Sequence, residues 1–256
     1  MDIAVKFGDY DFKKTVSDWD TNIRSKLKTE EKALVDGVSL DNMLLGGREI
    51  SIRGTLIKST ETALRTAFDA LKTALNLGKQ YLYFFDDRRV LAAMERFSWK
   101  DYPRTYNNPA RCEYSIEFKA ESPYWESTTP LSPEETILID GHEWTVNNPG
   151  DVNVYPVITI TADTTIADLI IQNLTDIPTG EDEGLKFEYE DLEFDLSAPT
   201  LIVNCQEGTV QRNGANTIRY FSGAFLKLLP GDNTIKWTGS TDGATKVKFT
   251  FRRRFL

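Results

Sequence analysis

The chain has 256 residues, of which 40% are hydrophobic and 27% are charged, a composition typical of a folded globular protein. Its formal net charge of −9 argues against a specific nucleic-acid binder, whose affinity would depend on a basic surface. The sequence begins without a basic stretch and a long apolar run, and no window is long and apolar enough for a membrane span, so neither a signal peptide nor membrane insertion is predicted. The two cysteines, Cys112 and Cys205, indicate buried thiols in a reducing compartment rather than a disulfide framework.

The N-terminal stretch, up to about Gly47, contains a charged tract from Asn22 to Lys32 with few apolar residues. Such a tract contributes little to a core, so the sequence predicts either a solvated loop or a segment ordered by a neighbouring subunit. From Arg48 to Leu56, apolar and polar residues alternate as in a strand. Gly54 interrupts this alternation, which indicates a bulge or a close backbone approach.

A helix over about residues 60–77 is the most distinct element of the sequence. Ser59 or Thr60 is a suitable N-cap, and Gly78 is well placed to end the helix in the left-handed conformation. Apolar side chains recur on one face at helical spacing, at Leu64, Ala67, Phe68, Leu71, Ala74 and Leu75. Strands are predicted after it at Tyr81–Phe85, Val90–Met94 and Cys112–Ala120.

The Ser-, Thr- and Pro-rich segment from Ser127 to Glu135 predicts a boundary between two domains, residues 1–130 and 131–256. A short hairpin over Thr136–Val146, turning near Asp140-Gly141, is expected to open the second domain. An alternating strand at Val157–Thr161 follows, and further strands are predicted at Asp168–Asn173, Gly184–Tyr189, Leu192–Leu196, Thr200–Asn204, Thr209–Arg212, Gly223–Leu228, Asn233–Trp237 and Lys246–Arg253. Many short strands separated by turn residues favour an antiparallel sandwich or jelly roll. The fold class is therefore mainly β, with an α+β N-terminal domain.

No catalytic, cofactor or metal site is predicted. The one histidine, His142, lies in the expected hairpin and is interpreted as a turn residue, although a histidine-based catalytic site could be built only around it. One histidine and two distant cysteines do not supply the closely spaced ligand pairs of a zinc site. Gly46-Gly47-Arg48 lacks the spacing of a phosphate-binding loop, and Arg252-Arg253-Arg254 is interpreted as a solvated strand end or a docking point for an acidic partner.

An acidic cluster between Glu181 and Asp195 is the strongest candidate for calcium binding or for glycoside hydrolysis, since both need several carboxylates close together. Its members are Glu181, Asp182, Glu183, Glu188, Glu190, Asp191, Glu193 and Asp195. Apolar residues alternate with these acids from Phe187 to Leu196, with Glu190-Asp191 at a turn. The favoured interpretation is the polar face of a hairpin.

A set of short motifs, in order, resembles the distal tail (Dit) proteins of long-tailed phages. The motifs are Glu121–Trp125, Asn148–Gly150, Pro156–Ile160, Ile170–Asn173, Leu229–Asn233 and Phe249–Arg252. The strand, helix and strand order from Arg48 to Phe85 is part of the same likeness, which spans nearly the whole chain.

The resemblance implies a non-enzymatic structural protein of a phage or prophage tail tip, assembled in the host bacterial cytoplasm. It implies a tail-tube-like N-terminal domain that forms a homo-oligomeric ring, usually of six copies, and a galectin-like C-terminal sandwich. The expected partners are the tail tube protein and the tail-tip hub protein. The outer domain is a candidate attachment point for receptor-binding proteins or cell-surface glycans, and no cofactor is expected.

Two other functions remain open from the residues alone. A carbohydrate-binding module would present several of the aromatics Trp144, Tyr155, Tyr220 and Trp237 side by side on its surface. A glycoside hydrolase would use the acidic cluster.

Overall fold

A computed structural model describes residues 5–12, 15–31, 38–85, 87–103, 105, 108–162, 166, 168–178, 183–190, 200–239 and 244–256, with side chains of residues 24–45 left out of the description. The chain divides into two compact units, Met1–Thr128 and Thr129–Leu256. The division lies two residues before the boundary predicted from the sequence. That each unit is an independent domain stays a prediction.

The first unit is a curled antiparallel sheet with one helix. Its elements are β1 (Val5–Phe7), β2 (Tyr10–Asp11), β3 (Val16–Glu31), β4 (Val38–Lys58), α1 (Glu61–Leu75), β5 (Gln80–Phe84), β6 (Arg88–Tyr102), β7 (Ala110–Ala120) and β8 (Trp125–Ser127). The strand order is β2-β1-β5-β6-β7-β4-β3, and β8 pairs with the start of β6. Along β7 every second residue is buried, as predicted for a strand with one polar face.

The predicted helix is confirmed. Thr60 is its N-cap, with its hydroxyl accepting a hydrogen bond of 3.1 Å from the Ala63 amide. The helix ends at Leu75, and Gly78 has a φ of 78°, the left-handed conformation expected after a helix end. Leu64, Phe68, Leu71, Ala74 and Leu75 are its buried residues.

The close approach predicted at Gly54 is also present, because a Cβ there would lie 2.3 Å from the Tyr114 hydroxyl oxygen and from the Thr15 carbonyl oxygen. The tyrosine hydroxyl in turn lies 2.7 Å from the hydroxyl of Thr15. Because Gly54 has no side chain, β4, β7 and the residues before β3 can pack closely together at this point.

The prediction of a loop at Asn22–Lys32 was wrong for the described part of this tract. Residues up to Glu31 belong to β3, which pairs with β4 as far as Val38. Ladder hydrogen bonds hold such a strand whether or not its side chains are apolar, and for this reason composition alone did not reveal it. β6 is also longer than predicted, reaching Tyr102.

The second unit is a β-sandwich. Its strands are β9 (Glu134–Ile137), β10 (Glu143–Asn148), β11 (Val157–Thr161), β12 (Leu169–Asn173), β13 (Lys186–Tyr189), β14 (Thr200–Asn204), β15 (Thr209–Arg212), β16 (Ala215–Asn216), β17 (Phe221–Gly223), β18 (Gly231–Thr238), β19 (Thr245–Thr250) and β20 (Arg254–Phe255). One sheet has the order β10-β18-β12-β13-β17 and the other β16-β15-β14-β11-β19-β9. Apolar side chains from both sheets form one core, with Trp237, Phe187 and Phe249 among its fully buried members.

Two strand predictions in this unit need correction. Thr136–Val146 is not a hairpin, because β9 pairs with β19 and β10 pairs with β18 in the other sheet. The turn at Asp140-Gly141 therefore carries the chain from one sheet to the other. The strand predicted at Gly223–Leu228 lies instead at Phe221–Gly223, and the one predicted at Leu192–Leu196 falls outside the described residues.

Three asparagines with no exposed surface tie together one end of the five-stranded sheet. Asn148 ends β10, Asn173 ends β12, and Asn233 lies near the start of β18 between them. The Asn173 side-chain amide donates to the Asn233 carbonyl oxygen at 3.1 Å, and Asn148 accepts from the Gly150 amide at 3.1 Å. Three of the motifs behind the family resemblance thus supply buried hydrogen bonds for strand ends and turns.

Candidate assembly surface

The described residues among those considered for catalysis lie at two separate places in the second unit. The His142 ring nitrogen Nε2 lies 3.3 Å from a carboxylate oxygen of Glu135, in the connection between the two sheets. Of the acidic cluster, Glu183, Glu188 and Glu190 are described, and the first two lie 3.4 Å and 4.0 Å from the ammonium of Lys186. The other members, Glu181, Asp182, Asp191, Glu193 and Asp195, fall outside the described residues. Among the described His, Cys, Asp and Glu side chains, no group of three could hold a metal ion.

The aromatics considered for sugar binding do not make a platform of four exposed rings. Trp237 is fully buried, Trp144 and Tyr220 are half-buried, and Tyr155 is 41% exposed. In the part of the chain that the structure describes, no helix is long and apolar enough to cross a membrane.

Both cysteines are buried and unreactive in character. Burial raises the pKa of the Cys112 and Cys205 thiols from 9.0 to about 12, with Asp101 adding to the effect at Cys112. Because the folded pKa is raised, the folded state retains its thiol protons longer than the unfolded chain. This contribution to stability is complete below the unfolded pKa of 9.0 and is lost as the pH rises from there to about 12.

We expect iodoacetamide at pH 8 to leave both thiols of the native chain unmodified, because the thiolate is the reacting species. The same reagent should modify both thiols in urea, and intact mass measurement distinguishes the two results. Labelling of the native chain as fast as the unfolded chain would contradict the burial.

Arg48 is a buried cation whose structural role its neighbours in the sequence do not indicate. Arg48 is only 3% exposed. Its Nε and Nη2 atoms donate hydrogen bonds to the Pro123 carbonyl oxygen at 2.9 Å and 2.7 Å. Its Nη1 atom donates to the Thr21 hydroxyl at 3.0 Å. The guanidinium also lies 5.1 Å from the centre of the Trp125 ring. Burial, with a smaller contribution from the charge of Arg88, lowers the pKa of Arg48. Arg48 therefore fixes the Glu121–Trp125 motif against the point where β4 leaves the sheet.

The first unit has two long strand edges that no described residue covers. β3 is the last strand of the sheet, so its edge opposite β4 is open from Val16 onward. On the other side, β5 pairs with β6 only as far as Ala92, so the edge of β6 opposite β7 is open from Ala93 to Tyr102. Open edges of this length are templates for pairing with another strand.

The register shows which side chains lie at these two edges. One cross-strand row on the buried face runs from Phe97 on β6, through Ile116 and Ile52, to Trp19 on β3. Trp99, two residues beyond Phe97, is 51% exposed, and its ring stacks on Phe97 at a centroid distance of 5.3 Å. A cleft of about 410 Å³ opens beside it, lined by residues of α1 and the end of β6. Aromatic rings therefore lie at both open edges, on the same face of the sheet.

Comparisons with known proteins agree with this architecture. Residues 149–255 match the family model for the siphovirus-type tail component, C-terminal domain. The crystal structure of the phage SPP1 Dit (gp 19.1) protein, described as a paradigm of the hub adsorption apparatus in phages that infect Gram-positive bacteria, is 17% identical and covers 99% of each chain with a TM-score of 0.71. That likeness establishes a common fold over the whole chain.

Two further solved structures align more weakly. The phage P2 baseplate in its activated conformation with Ca is 8% identical, with 99% of this chain and 92% of that chain covered and a TM-score of 0.46. The virion of a native gene transfer agent is 10% identical, with 50% and 96% covered and a TM-score of 0.32. Among curated proteins, the comparison finds no match to this sequence.

The family match and the mainly β architecture define the class of protein: a structural component of a siphovirus-type virion tail. Within that class, residues 149–255 match the C-terminal domain of the Dit proteins and the whole chain shares the fold of SPP1 Dit, which confirms the resemblance seen in the sequence.

Proposed function

We propose that the chain is a non-enzymatic adaptor that forms a closed ring at the tail tip and joins the tail tube to the baseplate hub. The observation that supports this most directly is the pair of open strand edges on β3 and β6. Copies that pair through these edges satisfy the free amide and carbonyl groups of both strands.

The aromatic side chains at the edges add an apolar contribution. Trp99 and Phe97 at the β6 edge and Trp19 at the β3 edge leave apolar surface in contact with water in the single chain. Tryptophan contributes a large share of the binding energy at protein interfaces when it is desolvated. Edge pairing covers these rings, so the same join gains both hydrogen bonds and apolar burial.

The β3–β4 ribbon gives the ring a second means of contact. Residues 24–31 and 38–45 pair with each other but not with the rest of the sheet. At about 3.3 Å per residue, eight residues reach roughly 25 Å from the sheet. A two-stranded ribbon is marginal in water by itself, so a neighbouring ring subunit, the tube protein or the hub protein is the expected support. The C-terminal sandwich is the proposed attachment point for receptor-binding proteins or cell-surface glycans.

Light scattering on the full chain over a concentration series at low salt tests the ring. We expect one discrete closed oligomer, with six copies the number implied by the family. Hydrogen exchange by mass spectrometry should show the amides of β3 and of residues 93–102 protected in the oligomer and exchanging in the diluted monomer. An oligomer whose protection lies only in the second unit would contradict edge pairing.

A further inference from the structure

The two open edges carry opposite charges on the polar face of the sheet. On β3 the exposed acids Asp18 and Asp20 point to this face, and we name them the acidic edge. On β6 the exposed bases Arg96 and Lys100 point to the same face, and we name them the basic edge.

The strand register establishes that these residues share a face. One row runs from Arg96 to Glu117 on β7, to Ser51 on β4 and to Asp20 on β3. The next row runs from Ser98 through Ser115 and Arg53 to Asp18. Residues paired across strands lie on one side of a sheet, so each row begins near the basic edge and ends at the acidic edge.

Within residues 16–23 of β3 and 93–102 of β6, the other described charges leave this contrast in place. Asp18 already lies 3.4 Å from Arg53, but both side chains are more than 60% exposed and such a pair is weak. Glu95, at the bulge in β6, lies 3.7 Å from the ammonium of Lys119. Asp101 pairs in register with buried Cys112 and so lies on the opposite face.

On the basis of the proposed ring, we infer that the acidic edge of one copy binds the basic edge of the next. These four charges then set the direction of assembly, which is β3 of each copy against β6 of its neighbour. Since each of the four strands is antiparallel to its neighbour, β3 runs opposite to β6, and a rotated copy presents β6 antiparallel to β3. If the rows continue across the junction, Asp20 faces Arg96. A shift of two residues brings Asp18 opposite Lys100 or Arg96 instead, so neighbouring registers keep opposite charges together.

The same charges disfavour the wrong joins. Pairing of two β3 edges sets aspartates against aspartates, and pairing of two β6 edges sets bases against bases; like charges directly opposite on paired strands are destabilising. Only the join between a β3 edge and a β6 edge can repeat around a circle with a single kind of contact. A closed ring requires such a repeating contact.

Charge-swapped variants of the full chain test the inference. The first variant combines Asp18→Lys and Asp20→Lys, and the second combines Arg96→Glu and Lys100→Glu. Each variant alone has two edges of like charge and is expected to be at least about tenfold weaker in assembly than the unaltered chain. An equimolar mixture restores opposite charges at every join, so native mass spectrometry should find closed rings with equal numbers of the two variants.

The controls place the same charge changes in the second unit. Lys246→Glu with Lys248→Glu matches the second variant in charge, and Glu134→Lys with Glu143→Lys matches the first. All four residues belong to strands of the second unit, whereas both proposed edges belong to the first, and both controls should assemble as the unaltered chain does. Recovery on mixing also shows that each variant is folded. If each edge variant by itself assembles as strongly as the unaltered chain, or if the mixture forms no rings, the inferred role of these charges is wrong. Neither result contradicts the proposal that the unaltered chain forms a ring. If the unaltered chain never forms a ring, both proposals fall.

Discussion

Replacement of Asn233 by leucine is expected to lower the free energy of unfolding of the second unit by about 3 kcal/mol or more. The Asn233 side-chain carbonyl accepts from the Leu229 amide at 2.8 Å, and its amide donates to the Leu229 carbonyl oxygen at 2.8 Å. Leucine is close in size but leaves the part-buried amide and carbonyl of Leu229 without this partner. It also removes one of the two hydrogen bonds that the Asn173 amide donates, the other being to the Lys227 carbonyl oxygen. Each unsatisfied buried group costs about 1 to 3 kcal/mol.

Urea unfolding followed by circular dichroism measures this loss, with Asn147→Leu as the matched control. Asn147 is on the neighbouring strand and is exposed; its amide donates to Asp232 at 2.7 Å on the surface. The control should change stability by no more than about 0.5 kcal/mol. Equal effects of the two substitutions would mean that burial of the asparagine network is not what stabilises this end of the sandwich.

Replacement of Trp99 by serine is expected to weaken ring assembly by at least about thirtyfold per join, while the folding of the single chain changes little. A tryptophan that becomes desolvated at an interface commonly contributes about 2 kcal/mol or more, which corresponds to this factor. In the single chain half of its surface is already in water, at 51% exposure, so less is lost there. Sedimentation velocity over a dilution series gives the assembly constant, and thermal unfolding gives the stability.

Ile57→Ser is the control for Trp99→Ser. Ile57 is 57% exposed and lies near the end of β4, beyond the part that pairs with β3, where it pairs with Arg111 on β7. We expect it to leave assembly unchanged. Loss of assembly in both variants to the same extent would mean that general surface hydrophobicity, rather than the β6 edge, holds the copies together.

Local signals in the sequence predicted the elements that depend on neighbouring residues. The helix follows from its N-cap at Thr60, its apolar spacing and Gly78, and the close contact at Gly54 follows from a glycine that interrupts an alternating strand. The strands of the sandwich core follow from the alternation of apolar and polar residues, as at Val157–Thr161. Such patterns report which face of an element is buried.

The tract from Asn22 to Glu31 and the connection at Thr136–Val146 were mispredicted for a common reason. The first is a strand because β4 lies beside it, and the second crosses between sheets because β9 and β10 find partners far along the chain. Arg48 was overlooked because its carbonyl partner, at Pro123, lies 75 residues away. The side-chain composition of a segment gives almost no indication of which strand its backbone pairs with, or of which side chain its carbonyl oxygens bind.

The sequence by itself determined the mainly β class, the helix, the buried thiols and the family resemblance, because each of these follows from local pattern or from motif order. Only the tertiary structure decided which strands lie at the edges of the sheet. Since an open edge is defined by the absence of a partner strand, the aspartates of β3 and the bases of β6 acquire their proposed roles from topology. The positions of Asp20 and Arg96 in the sequence, more than 70 residues apart, gave no indication that these two residues end the same row.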